Sequence, residues 1–156
     1  MEKRKNLHDY GLALVVIGVL NLFSFVLTVV SGLVDGTINK ALANVEADII
    51  VAVKIVLCII AALMGLLAVA DALIGIKALK ISKNPKADKG HITAAKVFAV
   101  ISVISAISAV VTLFDGTAPI VDAIITLANS VLNVVVYALF IKAAQAVRQD
   151  VLTGEK

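Results

Sequence analysis

The sequence predicts an all-α integral membrane protein, a four-helix bundle with both termini in the cytoplasm. Of its 156 residues, 61% are hydrophobic and 16% are charged, and the mean hydropathy is +1.06. Soluble domains are about 45–50% apolar and roughly 25% charged. A soluble fold of this length would have too few polar residues to cover its surface, so the composition excludes the water-soluble classes.

Four apolar stretches are each long enough to cross a bilayer, which takes about 17–25 residues of helix. Charge-free runs occupy 10–34, 97–114 and 123–141, and a fourth run, 55–76, contains only Asp71 as a charged residue. We therefore predict a single transmembrane domain. The predicted spans within residues 1–156 are about 10–32, 49–76, 92–114 and 118–141.

The basic residues predict the orientation of the chain. Of the 14 lysines and arginines, only Lys40 and Lys54 lie on one side of the predicted spans. The others lie in the N-terminal segment, in a basic loop over 77–91, at the start of the third span and in the C-terminal segment. The positive-inside rule therefore predicts a cell-membrane protein with both termini and the basic loop in the cytoplasm. No nucleic-acid partner is expected, because no aromatic residues interleave with the lysines to stack bases.

The segment 37–48 is predicted to form an acidic helical extension on the outer side of the membrane. Its apolar residues recur every three or four positions, as on one face of a helix, and Thr37 is a suitable helix cap. The extension is either continuous with the second span or a separate surface helix. At the other end of this span, Pro85 predicts that the helix stops, because proline cannot continue a helix.

The two halves of the chain resemble each other. The sequence LVDGT at 33–37 is repeated as LFDGT at 113–117, and IKALK at 76–80 is similar to IKAAQ at 141–145. Two hairpins of equal orientation would form a parallel repeat around an axis along the membrane normal. The alternative is that Asp-Gly-Thr occurs twice because it is a good turn and helix cap.

A seam of small residues runs along the second span at spacings of four and three. Apolar helix faces gain little by leaving lipid, so helices associate through close backbone approach and interhelical hydrogen bonds. The seam therefore predicts a close contact with another helix, in the left-handed geometry of four-helix bundles. Its members are Ala61, Gly65, Ala68, Ala72 and Gly75.

Polar residues near the middle of the predicted spans are expected to face the interior, because an unsatisfied amide in lipid costs several kcal/mol. Two interpretations remain open for this candidate polar interior or solute path. The polar groups either hold the helices in register through hydrogen bonds, which we favour, or line a hydrated path or small cavity. The mid-membrane members are Asn21, Ser102, Ser105, Asn129 and Asn133.

Asp71 belongs to the same candidate site and allows two interpretations. If the bilayer begins near Lys77, Asp71 lies one to two turns inside it and is a functional-site candidate, with Tyr137 as its partner. If the span is instead 49–70, Asp71 reaches the headgroups and anchors the end of the helix. The excess length of the apolar run favours anchoring.

Five lysines follow the second span at every third position. Such a cluster attracts anionic lipid headgroups at about 1 kcal/mol per residue close to the membrane surface. The requirements of orientation alone explain it equally well. These lysines are Lys77, Lys80, Lys83, Lys86 and Lys89.

The sequence shows no pattern typical of catalysis or metal binding. His8 and His91 flank the predicted cytoplasmic surface without a cluster of acidic or cysteine ligands, and His91 is expected in the loop. Phosphate-binding loops and nucleophile elbows are missing. Cys58 is the only cysteine, so the cysteine motifs of tetraspanins and claudin-like proteins are missing as well. We predict a protein that is not an enzyme and uses no cofactor or metal.

These features predict a small multi-pass protein that acts through helix–helix association, as a subunit, scaffold or oligomer. Its expected partners are anionic membrane lipids and either copies of itself or another membrane protein. The alternative is a transporter or channel-like protein for a cation or small polar solute, in which Asp71 and the mid-membrane asparagines bind the solute. A third hypothesis is an immunity-type protein that captures a partner through the extension over 37–48.

Overall fold

The computed structural model describes residues 2–34, 47–116 and 120–154, and these form four α-helices. Side chains are described throughout these ranges except at 28–34, 47, 48, 57, 60 and 61. No strand occurs in the described ranges. The helices are α1 (Glu2–Val34), α2 (Ala47–Lys83), α3 (Gly90–Asp115) and α4 (Ile120–Thr153).

All four helices contain a segment that is long and apolar enough to cross a membrane. Large aliphatic side chains are exposed along each of them, as is normal for surfaces that lipid covers. The prediction of an all-helical protein is confirmed for the described residues, and four helices are long and apolar enough to span a membrane. The qualifying segments are Glu2–Leu27, Ala62–Lys83, Gly90–Asp115 and Ile120–Thr153.

The predicted loop over 77–91 is largely helical in the structure. Residues 77–83 form the last two turns of α2, residues 84–89 connect the helices, and α3 begins at Gly90. The lysines do not end α2, because lysine, leucine and alanine all favour helix. Pro85 does prevent its continuation, as predicted. The prediction for 37–48 falls outside the described residues except at 47 and 48, where α2 begins.

The turn after α3 depends on a glycine. Gly116 has a backbone φ of +62°, a left-handed conformation that residues with a Cβ rarely adopt. This glycine belongs to the LFDGT sequence and ends α3 as a turn residue should. The matching glycine of LVDGT lies outside the described residues, so the internal repeat stays a prediction.

The chain divides into two compact units. One, here called the terminal unit, comprises the described residues of 1–14 and 74–156. The other, here called the hairpin unit, comprises the described residues of 15–73. Each unit therefore contains one part of α1 and one part of α2, and the terminal unit also contains α3 and α4.

Segments of all four helices form one apolar core in the terminal unit. Leu7 from α1, Ala78 from α2, Ala95 from α3 and Phe140 from α4 have no exposed surface. The rings of Phe98 and Tyr137, on α3 and α4, are 6.0 Å apart between centroids. Side chains on α3 and α4 therefore interlock within this core.

Polar contacts join the chain ends to the connection between α2 and α3. Lys3 Nζ lies 2.7 Å from an oxygen of Asp150, which links the start of α1 to the end of α4. Arg148 Nε donates a hydrogen bond to the carbonyl of Ala87 at 3.1 Å. The first turns of α1, the last turns of α4 and the connection 84–89 therefore lie at the same end of the terminal unit.

Candidate functional site

The small-residue seam of α2 packs against α1 of the same chain. In the hairpin unit, a Cβ placed on Gly18 of α1 would lie 2.6 Å from the backbone nitrogen of Ala72 and 2.8 Å from the carbonyl of Ala68. Distances this short leave no room for a side chain, so the two backbones are in contact. One turn further, Gly65 of α2 lies against the ring of Phe25.

The same arrangement recurs where the seam enters the terminal unit. A Cβ on Gly11 would lie 2.9 Å from the Cβ of Ala78 and 3.2 Å from the carbonyl of Gly75. The seam members Gly65, Ala68, Ala72 and Gly75 thus all adjoin α1, whereas the side chain of Ala61 is outside those described.

The glycines on α1 that complete this contact were missed by the sequence reasoning. Gly11 and Gly18 are seven residues apart, the interval at which one face of a helix recurs in left-handed packing. That spacing was the available signal. With it, α1 is the natural neighbour of the seam.

Asp71 is buried within α2, with 6% of its surface exposed. It belongs to the hairpin unit and to the apolar segment Ala62–Lys83. Tyr137, which belongs to the terminal unit, is 2% exposed. Both residues are therefore interior groups of the protein, and their proposed pairing stays a prediction.

Two of the predicted interior hydroxyls are hydrogen-bonded within the terminal unit. Ser102 Oγ donates to the carbonyl of Phe98 at 2.9 Å, one turn earlier on α3. Ser105 Oγ lies 3.0 Å from Ser130 Oγ, a hydrogen bond that joins α3 to α4. Ser130 was not among the predicted residues, although it lies one position from Asn129.

The asparagines differ in their surroundings. Asn133 is half-buried, but Asn21 on α1 and Asn129 on α4 are exposed on the surface of the single chain. The expectation that all of them face an interior is therefore not met within this chain. On α4, Asn129 is exposed because of its position around the helix axis. Ser130 and Tyr137, which are seven residues apart, lie on the buried face, and Asn129 is rotated by about 100° from Ser130.

The basic segment is organised around Asp88. The Asp88 carboxylate pairs with the Lys77 ammonium and accepts a hydrogen bond from the backbone N–H of Gly90 at 2.9 Å. The N–H of Gly90 and the Lys77 ammonium lower the pKa of Asp88 from 3.8 to about 2. The five lysines are exposed, namely Lys77, Lys80, Lys83, Lys86 and Lys89.

His91 lies in the core rather than in a loop. It is 3% exposed, and its ring meets Phe140 edge to face, with centroids 6.1 Å apart. Neither ring nitrogen has a hydrogen-bond partner among the described residues. The expectation of a loop residue was wrong because α3 begins at Gly90, which directs His91 onto the same buried face as Ala95.

A groove lies between α3 and α4 near the turn that follows α3. Its volume is about 420 Å³, and its walls combine isoleucine with hydroxyl side chains and one carboxylate. We call this feature the α3–α4 groove. It is lined by Ile101, Ile104, Ser105, Ser108, Ala109, Thr112, Asp122, Ala123 and Thr126.

In the part of the chain that the structure describes, no three histidine, cysteine or acidic side chains are grouped as a metal site would require. Comparisons of the chain with protein-family models, with curated proteins and with solved structures gave no match.

Proposed function

We propose that this is a small, non-enzymatic multi-pass protein of the cell membrane that acts through lateral helix–helix association, as a subunit, scaffold or oligomer. The observation that carries this proposal is the exposure of Asn21 and Asn129. Both amides fall near the middle of a predicted span. A second membrane helix, from another copy or from another protein, would cover them.

The physical reason is the cost of an amide in lipid. An unsatisfied polar group in the hydrocarbon region costs several kcal/mol, and another helix can supply the missing hydrogen bonds. Ser102 and Ser105 need no such partner, because their hydroxyls are bonded within the chain. The seam does not provide the association surface, since α1 of the same chain occupies it.

The lysines support the orientation that the proposal requires. Both chain termini, in this proposal, lie in the cytoplasm, where anionic headgroups contact the exposed lysines around the connection 84–89. The ion pair between Lys3 and Asp150 supports a shared side for the two chain ends. Cysteine accessibility from each side of sealed vesicles tests this orientation.

Association is tested by fluorescence energy transfer between labelled copies in lipid vesicles. Asn129→Leu and Asn21→Leu are expected to weaken association by about 3- to 30-fold each, the equivalent of about 0.6–2 kcal/mol for an interhelical hydrogen bond. The matched control is Val131→Leu, which changes an exposed apolar residue of α4. Cross-linking in native membranes extends the test to partners other than a second copy.

A chain that stays solitary in native membranes would contradict the proposal. So would asparagine variants that associate as strongly as the Val131→Leu control.

A second candidate function is transport of a cation or small polar solute, and the burial of Asp71 favours it. A buried carboxyl within a membrane-spanning segment is expensive and is by default a functional-site hypothesis. Anchoring at the headgroups, which the sequence favoured, stays the other prediction for Asp71. In the transport alternative, the Asp71 carboxyl binds the solute.

A liposome flux assay separates the two candidates. Wild type and Asp71→Asn are compared, with Asp115→Asn as the control for loss of an exposed carboxylate. Transport predicts flux that Asp71→Asn abolishes and that Asp115→Asn preserves. If the wild type shows no flux, or if Asp71→Asn does not change the flux, association remains the proposed function.

A further inference from the structure

We propose that the α3–α4 groove is a binding site for a small monovalent cation, with Asp122 as its charged ligand. The groove combines a carboxylate with several hydroxyl oxygens between two helices that are long and apolar enough to cross a membrane. The inference is independent of the association proposed above, because neither Asn21 nor Asn129 lines the groove.

The hydroxyls of the groove present acceptors. Thr112 Oγ1 donates its proton to the carbonyl of Ser108 at 2.9 Å, and Thr126 Oγ1 donates to the carbonyl of Asp122 at 2.8 Å. A hydroxyl has one proton and two lone pairs. With that proton directed to the helix backbone, each threonine offers only oxygen lone pairs to a ligand.

Among the described residues that line the groove, Asp122 is the only ionisable one, and none is a lysine, arginine or histidine. Asp122 forms no ion pair in the ranges that the structure describes. Asp122 is exposed on the surface of the single chain, so its carboxylate is accessible to a cation.

The position of Asp122 alone does not explain the groove. A carboxylate in the first turn of a helix interacts favourably with the helix dipole, and Asp122 has that position on α4. A dipole contact requires no hydroxyls on the facing helix. Here Ser108 and Thr112 of α3 line the same cleft as Asp122 and Thr126 of α4.

The size and chemistry of the site define the class of ligand. Carboxylate and hydroxyl oxygens suit hard cations, and a water occupies about 30 Å³ in the liquid. A groove of about 420 Å³ therefore holds an alkali ion with part of its hydration shell, or a small organic ammonium ion. Both share one positive charge, and the experiment distinguishes them.

The test is a binding measurement on the full chain, one copy per lipid nanodisc, in zwitterionic lipid. Thermal unfolding midpoints are recorded over a series of NaCl, KCl or choline chloride concentrations, with bulky N-methylglucamine chloride keeping the ionic strength constant. The expected result is a saturable rise of the midpoint with an alkali cation, with choline, or with both. A rise in only the alkali arms identifies an inorganic ion, and a rise in only the choline arm identifies an organic ammonium.

Matched variants locate the site. Asp122→Asn is expected to weaken binding at least tenfold, whereas Asp115→Asn, which removes an exposed carboxylate outside the groove, keeps wild-type affinity. Thr126→Val keeps the charge of the site, removes one oxygen ligand and is expected to weaken binding several-fold. If Asp122→Asn fails to fold, Thr126→Val still tests the site.

Two results would overturn the proposal. One is the absence of a saturable shift with every cation tested. The other is a shift that Thr126→Val leaves at full strength and that Asp122→Asn and Asp115→Asn reduce equally, since that pattern indicates general charge screening. Because each nanodisc holds one copy, failure of the association proposal does not alter either outcome.

Discussion

The α1–α2 pair and the α3–α4 pair of helices pack by different means. Between α1 and α2, glycines at 11 and 18 bring the backbones into contact with the small residues of the seam. Between α3 and α4, side chains make the contact, through the rings of Phe98 and Tyr137 and the hydrogen bond between Ser105 and Ser130.

The difference affects how much space remains between the two helices of each pair. Helices that meet backbone to backbone leave little space between them, so the seam excludes other molecules. Helices that meet through side chains leave a space between them wherever no side chain fills it. The α3–α4 groove is such a space, and Ser105, which is bonded to Ser130, forms part of its lining.

The largest expected effect comes from the rings of the second pair. Phe140 has no exposed surface, and Phe140→Ala is expected to lower the free energy of unfolding by about 3–5 kcal/mol because it leaves a cavity. Unfolding in mixed micelles with increasing denaturing detergent measures the change. Leu139→Ala, at an exposed position on the same helix, is the control. If both variants lose the same free energy of unfolding, the Phe140 ring does not stabilise the packing of α3 against α4.

The contact between α1 and α2 is tested by adding one methyl group at Gly18. Alanine normally favours a helix over glycine by about 1 kcal/mol. Gly18→Ala is expected to do the opposite and to destabilise by about 1–3 kcal/mol, because its Cβ would lie within 3 Å of the α2 backbone.

The control for this reversal is Gly65→Ala. Its Cβ would lie 3.1 Å from the ring of Phe25, a side chain that is able to move, so a small effect is expected in the same unfolding assay. Stabilisation by Gly18→Ala would show that the two backbones are not in contact.

The hydrogen bond between Ser105 and Ser130 is expected to contribute less than either packing contact. Ser130→Ala should destabilise by about 0.6 kcal/mol, and by no more than about 1.7, as for other hydrogen bonds between membrane helices. A double-mutant cycle with Ser105→Ala measures the coupling between the two residues. Ser108→Ala is the control, and zero coupling would show that the hydrogen bond between Ser105 and Ser130 does not stabilise the packing of α3 against α4.

The smallest effect concerns the connection that joins the two pairs. Asp88 has its pKa lowered to about 2, below its ordinary 3.8, by the N–H of Gly90 and by Lys77. Its charged form therefore stabilises the connection above the ordinary pKa, and this contribution is lost as the pH falls through about 2. A carboxyl titration followed by NMR should give that low pKa, and Lys77→Gln should raise it. A midpoint near the ordinary value would contradict the contacts around Asp88.

Much of the fold could be predicted because hydropathy reports directly on helices in lipid. Charge-free runs such as 97–114 and 123–141 lie within α3 and α4. The end of an apolar run was a poorer guide to the end of a helix, and for α2 Pro85 was the better signal. Lysines that mark the edge of a membrane do not interrupt a helix, so α2 continues to Lys83 although its apolar run ends near Lys77.

The sequence indicated which residue types belong to the candidate site, but not the direction in which each side chain points. The sequence alone identifies asparagine, serine and aspartate as the unusual groups in an apolar chain. Whether each faces a neighbour depends on the rotation of its helix, and one position changes that direction by about 100°. Asn129 and Ser130 show the consequence, since the first is exposed and the second is bonded to α3.

The sequence alone determined the class of protein, four apolar helices, and the small-residue seam that allows close packing. These properties are local, because composition and spacing along one helix are enough to establish them. Only the tertiary structure decided which helix the seam meets, that His91 is buried against Phe140, and that hydroxyls from α3 and α4 share a groove with Asp122. Those properties depend on the rotation and separation of two helices, and the contacts between their side chains set both.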